Sequence, residues 1–367
     1  MTIKIIFQRY IVKLLLCNIL CLIVLSSCRQ EDFNLELQTE KYFHIKNGDY
    51  LIPTLVRGST TSKKIILFIQ GGPGYSSLDF AGIDFPKWRN TLEFDYAVAY
   101  YDQRGTGNKQ GDFSQGTSVI QTWTSDLHAV ASFLQQAYDA EIILMGHSFG
   151  GWLMYKYMLE YPNNSIVSKY IAMNAPITSD GDISGLRWEF RREFLENTAQ
   201  LEISKGNRVT EWQDVMSWLE ENPKIEEVNG EDPFILYRQW NRYVNQLITI
   251  DYPEPEPTNQ DYLRVIFSSS YNPLAYLNSQ YTDEITDRIY DERIGDSLVY
   301  QLENITQPSL LLITGRYDDI CPPEELTYAF NNISSEDKEL VIIEGASHNP
   351  FIEQPTTFYS TIKNFIK

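Results

Sequence analysis

Six short, uninterrupted apolar runs constrain what this chain can fold into more than any other feature: residues 65–69 (IILFI), 96–100 (YAVAY), 142–145 (IILM), 170–173 (YIAM), 310–313 (LLLI) and 340–343 (LVII). A strand with one wet face alternates apolar and polar residues, whereas a continuous run suits a parallel strand covered on both faces. Between the runs, residues 123–138 and 152–161 space their apolar residues as helices do, and 355–366 reads as a closing helix with proline in its first turn. Residues 42–57 hold two alternating runs around Asn47-Gly48, a hairpin signal. The expected architecture is a mostly parallel, doubly wound α/β sheet with an antiparallel hairpin at its start. With 43% hydrophobic residues in 367, the chain has enough apolar surface for a large core, which excludes general disorder.

One interval breaks the rhythm. Between Ala175 and Ser309 lie 133 residues, although a crossover between parallel neighbours needs only about a dozen. Helical patterns near 186–199, 209–221, 234–248 and 262–267 are separated by Gly181, Gly206-Asn207, Asn229-Gly230 and Pro253-Glu-Pro-Glu-Pro257. The reading is a core at 41–175 and 307–367, with a helical cap inserted at 176–306. The whole chain has 49 acidic against 30 basic residues, and residues 181–306 alone hold 24 against 11. Such acidity repels phosphate backbones and excludes nucleic acid as a partner; on the cap it reads as a solvated helical surface.

The first 28 residues contain Lys4, Arg9 and Lys13 and no acid. An apolar stretch from Leu14 to Leu25 follows the basic segment, too short for the ~20 residues of a membrane-spanning helix. Leu25-Ser26-Ser27-Cys28 resembles the lipobox of bacterial lipoproteins. That resemblance implies a signal peptide at 1–27, lipid on Cys28, export, and a place on the bacterial cell envelope. Residues 28–40 then read as a tether. With Cys17 and Cys21 removed and Cys28 lipidated, Cys321 stands alone and no intramolecular disulfide forms.

The chemistry is clearest at Gly146-His147-Ser148-Phe149-Gly150, a G-x-S-x-G between a buried run and a helical pattern. The turn lifts the serine hydroxyl to the carboxyl end of the sheet, where it needs a base to take its proton. The chain has four histidines. His44 lies in the hairpin, His128 within a helix, and His147 on the turn itself, which leaves His348, after the run 340–343. In the chain order Ser…Asp…His, the orienting acid follows the run 310–313, as Asp318 or Asp319. No Cys/His cluster has metal-ligand spacing, and serine acyl transfer calls for no cofactor.

These residues resemble α/β-hydrolases of the proline iminopeptidase type, a group of serine aminopeptidases. The resemblance rests on Gly71-Gly-Pro-Gly74, Asp102-Gln-Arg-Gly-Thr-Gly107, Gly146-His-Ser-Phe-Gly-Gly151, Gly315…Asp318…Pro322 and Ser347-His348. It implies the α/β-hydrolase fold with an inserted cap, a triad of Ser148, Asp318 and His348, and an oxyanion hole from the backbone N–H groups of Gly72 and Phe149. It favours Asp318 over Asp319. The chain departs from the pattern at Gln70, where relatives carry histidine. Relatives that act on peptides hold the substrate's amine with cap glutamates; Glu189 and Glu193 share a helix face, but no specificity residue is transferred. The expected activity is release of N-terminal residues from short peptides. An esterase or amidase acting on small carbonyl compounds needs the same triad, and a non-catalytic ligand-binding lipoprotein is the third reading.

Overall fold

The computed structural model describes residues 39–84, 87–105, 117–178, 185–223, 244–248, 250, 253, 283–294, 297–307 and 309–367. The signal segment, Cys28, the tether up to residue 38, most of the pattern at 234–248 and all of that at 262–267 lie outside them. The strands are β1 (Thr39–Asn47), β2 (Tyr50–Gly58), β3 (Lys64–Ile69), β4 (Ala97–Tyr101), β5 (Glu141–His147), β6 (Val167–Met173), β7 (Leu310–Gly315) and β8 (Lys338–Ile343). The main helices are α1 (Ser77–Ile83), α2 (Val119–Tyr138), α3 (Phe149–Glu160), α4 (Leu186–Ser204), α5 (Val209–Glu221), α6 (Asp283–Ile294), α7 (Pro323–Asn332) and α8 (Pro355–Ile366).

The eight strands form one sheet in the order β1-β2-β4-β3-β5-β6-β7-β8. β2 runs antiparallel to β1 and β4, and every pairing from β4 to β8 is parallel. The strand β1 begins at Thr39, inside the segment read as tether, because Thr39 and Glu40 pair with Gly58 and Arg57. Each continuous run is explained by two cores. Ile142 and Leu144 pack with Trp123 and Leu127 of α2 and Trp152 of α3. Ile143 and Met145 pack on the other face with Leu78 of α1 and Phe358 and Ile362 of α8. Burial of each such side chain contributes about 1.5–3 kcal/mol. The exception is β8, a sheet edge, whose residues before Ile343 are only partly buried or exposed.

Between β6 and β7, α4 and α5 bury a cluster of their own, with Phe194, Leu195, Trp212, Val215, Leu219 and Val244. Helix α6 returns to the core, where the Glu292 carboxylate accepts from Ser118 Oγ and from the N–H groups of Val119 and Ile120 at 2.8–3.0 Å. It thereby satisfies first-turn donors of α2 and complements that helix's dipole. No described helix is long and apolar enough to cross a membrane.

Candidate active site

Strand β5 ends at His147 and α3 starts at Phe149, so a single residue makes the turn. Ser148 does so at φ 53°, ψ −125°, outside the usual basins for an L-residue, a strain of about 1–3 kcal/mol. Three contacts hold it there: its N–H donates to Met173 O (2.8 Å), and its carbonyl accepts from Gly151 N (2.9 Å) and Trp152 N (3.2 Å). The turn tolerates no side chain at Gly150, whose Cβ would lie 2.1 Å from Ile69 O. The loop after β3 crosses directly over the serine, since a Cβ on Gly71 would meet Ser148 Cβ at 2.9 Å. Gly72 follows at φ 121°. Phe149 opens α3, so its N–H lacks an intrahelical acceptor and sits at the positive end of the helix. Gln70 turns its side-chain oxygen onto Gly71 N–H (3.2 Å).

The loops after β7 and β8 bring Asp318 and His348 together. His348 Nδ1 lies 3.0 and 3.1 Å from the two oxygens of the buried Asp318 carboxylate. A carboxylate accepts, so Nδ1 carries the proton and Nε2 keeps its lone pair. Oδ1 of Asp318 also accepts from Ile320 N and Cys321 N (3.0 Å each), and Oδ2 from Asn174 Nδ2 (2.6 Å). Asp319 instead accepts from Asn245 Nδ2 (2.9 Å) on the exposed side. Burial opposes a charged His348, but the Asp318 carboxylate outweighs it by charge and hydrogen bond and, with Asp319 and Glu353, raises its pKa above the ordinary imidazole value.

The residue before Ser148 meets the His348 loop. His147 Nε2–H donates to the carbonyl of His348 (2.9 Å), and the two rings lie 5.0 Å apart. Burial, reinforced by the nearby His348, pushes the His147 pKa down to about 3, so its ring stays neutral. Among the described residues the Ser148 hydroxyl makes no hydrogen bond; contacts of this kind often tighten only when substrate arrives.

Several supporting residues were not singled out from the sequence. Asn174, at φ 48°, spans Asp318 and the carbonyl of Ser347 (3.1 Å). Asparagine after a buried run at a strand end, a residue tolerant of left-handed backbone, was the available signal. Glu353 accepts from Ser347 N–H (2.6 Å) and fixes the histidine loop. Asp102, which opens one of the motifs of the resemblance, accepts from Ser76 Oγ (2.8 Å) and Leu78 N–H (3.2 Å) and so caps α1; burial, with Asp79 adding, pushes its pKa up to about 7. Folding also brings Asp318, Cys321 and His348 within 4.8 Å by their potential ligand atoms, a grouping invisible in their spacing. Burial raises the Cys321 thiol well above its usual pKa and keeps it protonated. Glu189 and Glu193 are both exposed on α4.

The sheet order and its flanking helices have the architecture of an α/β hydrolase. The chain belongs to the alpha/beta hydrolase fold family, which matches residues 64–355. It is 25% identical over 342 residues to a proline iminopeptidase of Lactobacillus delbrueckii subsp. bulgaricus, covering 89% of this chain and 97% of the relative. It is 21% identical over 318 residues to the probable aminopeptidase YbaC of Bacillus subtilis, covering 84% and 90%. Among solved structures it resembles a proline iminopeptidase of Mycobacterium smegmatis (TM-score 0.50, 18% identity, 89% and 97% covered). It also resembles a bacterial membrane phospholipase A (TM-score 0.54, 17% identity, 98% of each chain covered). At such identities these two structures share the fold.

Proposed function

We propose that this hydrolase is a serine aminopeptidase of the proline iminopeptidase kind, releasing N-terminal residues from short peptides. The observation that carries the reading is the Asp318–His348 pair at 3.0 Å, placed at the same strand ends as the strained Ser148. Full-length similarity to relatives named proline iminopeptidase supports the substrate class.

In this mechanism His348 Nε2 takes the Ser148 proton while Oγ attacks the substrate carbonyl. The N–H groups of Phe149 and Gly72 donate to the developing oxyanion, and such preorganised donors are worth about 2.7–4 kcal/mol each. The imidazolium, stabilised by Asp318, protonates the leaving amine, leaving an acyl-enzyme. Water then gives its proton to Nε2 and attacks the ester carbonyl; as the Oγ–acyl bond breaks, the imidazolium returns that proton to Ser148 Oγ and the acyl group leaves as the free acid. Each step is acyl or proton transfer.

A second reading, an esterase or amidase on small carbonyl compounds, is favoured by one observation: both glutamates weighed as amine holders, Glu189 and Glu193, face solvent. A panel of proline-, alanine- and other aminoacyl-arylamides beside short esters separates the two. The aminopeptidase reading expects arylamide turnover that disappears in Ser148→Ala; turnover of esters alone defeats it.

The same reading anchors the enzyme to the bacterial cell envelope through lipid on Cys28, supported by the basic segment, short apolar stretch and Leu25-Ser-Ser-Cys28. Cys28→Ala should release it from the membrane fraction, and unchanged partitioning would refute the anchor.

A further inference from the structure

Helix α4 belongs to the interval inserted between β6 and β7, yet one of its side chains reaches the loop that carries Asp318. Arg191, 9% exposed, donates from Nη1 to the carbonyl of Asp319 (2.8 Å) and from Nη2 to the carbonyl of Ile320 (2.9 Å). The peptide groups that own these carbonyls have their N–H groups at Ile320 and Cys321. Both N–H groups donate to Asp318 Oδ1 at 3.0 Å. Two consecutive peptide units are therefore clamped between a guanidinium and a carboxylate, each with its oxygen on the cation and its hydrogen on the anion. Hydrogen bonds aligned in series polarise one another, and the planar two-pronged guanidinium suits two adjacent carbonyls in a way a lysine ammonium does not. A second contact on the same helix steadies the loop: Tyr317 OH donates to Glu202 Oε1 (2.7 Å), and Lys205 Nζ lies 2.9 Å from the same hydroxyl.

We propose that Arg191 is a positioning residue for the reaction: through the 319–320 and 320–321 peptide groups it holds and electrostatically braces the Asp318 carboxylate, coupling the inserted helix to the acid–base pair. This rests on the reading of Ser148, Asp318 and His348 as the catalytic triad. Without Arg191 the two backbone donors loosen and a cation is lost behind the carboxylate, while Asn174 and His348 still hold Oδ2. The less-compensated carboxylate then favours the imidazolium more strongly. The other ionisable groups facing His348 are Asp319 on the same loop, Glu353 after β8, His147 on β5 and the Cys321 thiol; the first three are unchanged in the variant, and loss of the Arg191 charge only raises the thiol further, leaving it neutral.

The test compares wild type, Arg191→Ala, Arg191→Lys and Asn197→Ala on whichever arylamide or ester the wild type hydrolyses. The last variant removes a different contact from α4 to the core, Asn197 Nδ2 to Glu324 Oε1 at 2.8 Å, and leaves the Asp318 loop untouched. Arg191→Ala should lower kcat about tenfold, far less than the ~10⁴ for loss of the triad carboxylate. It should also move the acid limb of kcat/KM up by about half a pH unit. Millimolar guanidinium should restore both, Arg191→Lys should fall between, and Asn197→Ala should keep the wild-type limb. The low-field NMR signal of the His348 Nδ1 proton, titrated without substrate, should show the same upward movement. An unmoved or lowered limb and titration in folded Arg191→Ala overturn the proposal. If that variant does not fold, a wild-type limb in Arg191→Lys overturns it. Absence of Ser148-dependent turnover in the wild type instead overturns the triad reading, which separates the two failures.

Discussion

Asp318→Asn changes one atom, and the surroundings dictate its effect. Every group around the carboxylate is a donor: the N–H groups of Ile320 and Cys321 on Oδ1, Asn174 Nδ2 on Oδ2, and His348 Nδ1 against both. An amide has one accepting and one donating end. With its oxygen kept toward the two backbone N–H groups, its NH₂ faces Asn174 Nδ2 and His348 Nδ1. The histidine relieves its half of that conflict by moving its proton to Nε2, where it no longer accepts the serine proton. A wrong tautomer of this kind lowers kcat about 10⁴-fold, or about 5 kcal/mol. The amide facing Asn174 finds no such relief and adds a buried unsatisfied donor, about 1–3 kcal/mol of lost stability. Arylamide kinetics and urea unfolding measure the two effects separately. Asp319→Asn is the control: its carboxylate accepts from the exposed Asn245 amide while His348 Nδ1 turns to Asp318, so activity well above the His348 midpoint should stay within about twofold. The assignment is refuted if Asp318→Asn retains activity within about tenfold of wild type, or if Asp319→Asn falls as far.

Three further outcomes follow from the same geometry. With His348 as the proposed base, which must be neutral to take a proton, and Asp318 raising its pKa, kcat/KM should rise with pH through a midpoint above the ~6.5 of a free imidazole; a midpoint below it contradicts the pairing. His147 is held near pKa 3, so the unfolded chain binds its proton first and stability drains as pH falls from about 6.5. His147→Gln should therefore lose about 2 kcal/mol less than wild type between pH 7 and pH 5 in urea unfolding, and equal losses would contradict this. Gly150→Ala drives a methyl into Ile69 O, 2.1 Å from its ideal Cβ; it should cost about 1–3 kcal/mol and reduce kcat by shifting the elbow, whereas wild-type unfolding would show that the turn has slack.

The core strands were legible because burial on both faces leaves an unbroken apolar signature: all six runs are strands, and alternate residues feed the two cores. The pattern at 209–221 coincides with α5, and that at 186–199 extends to Ser204 in α4. Helices α1, α6 and α7 left weaker marks. The first is seven residues long, α6 is dominated by charged and polar residues, and α7 is announced mainly by prolines at its start. His348 was singled out by elimination among four, and the fold brings it against Asp318. The residues alone left Asp318 and Asp319 open and only the spacing in the resemblance favoured Asp318, because the contact that tells them apart, Asn174 from the end of a different strand, forms only in the fold. Arg191 and Glu353 were illegible for the same reason: each acts through contacts with loops that only the folded sheet brings near.

Intact-mass analysis after treatment with an activated fluorophosphonate decides whether Ser148 is the nucleophile of this hydrolase. A single adduct, mapped to Ser148, should form on the wild type, slowly in His348→Ala and not at all in Ser148→Ala. No adduct on the wild type, or one mapped to a different residue, would contradict it.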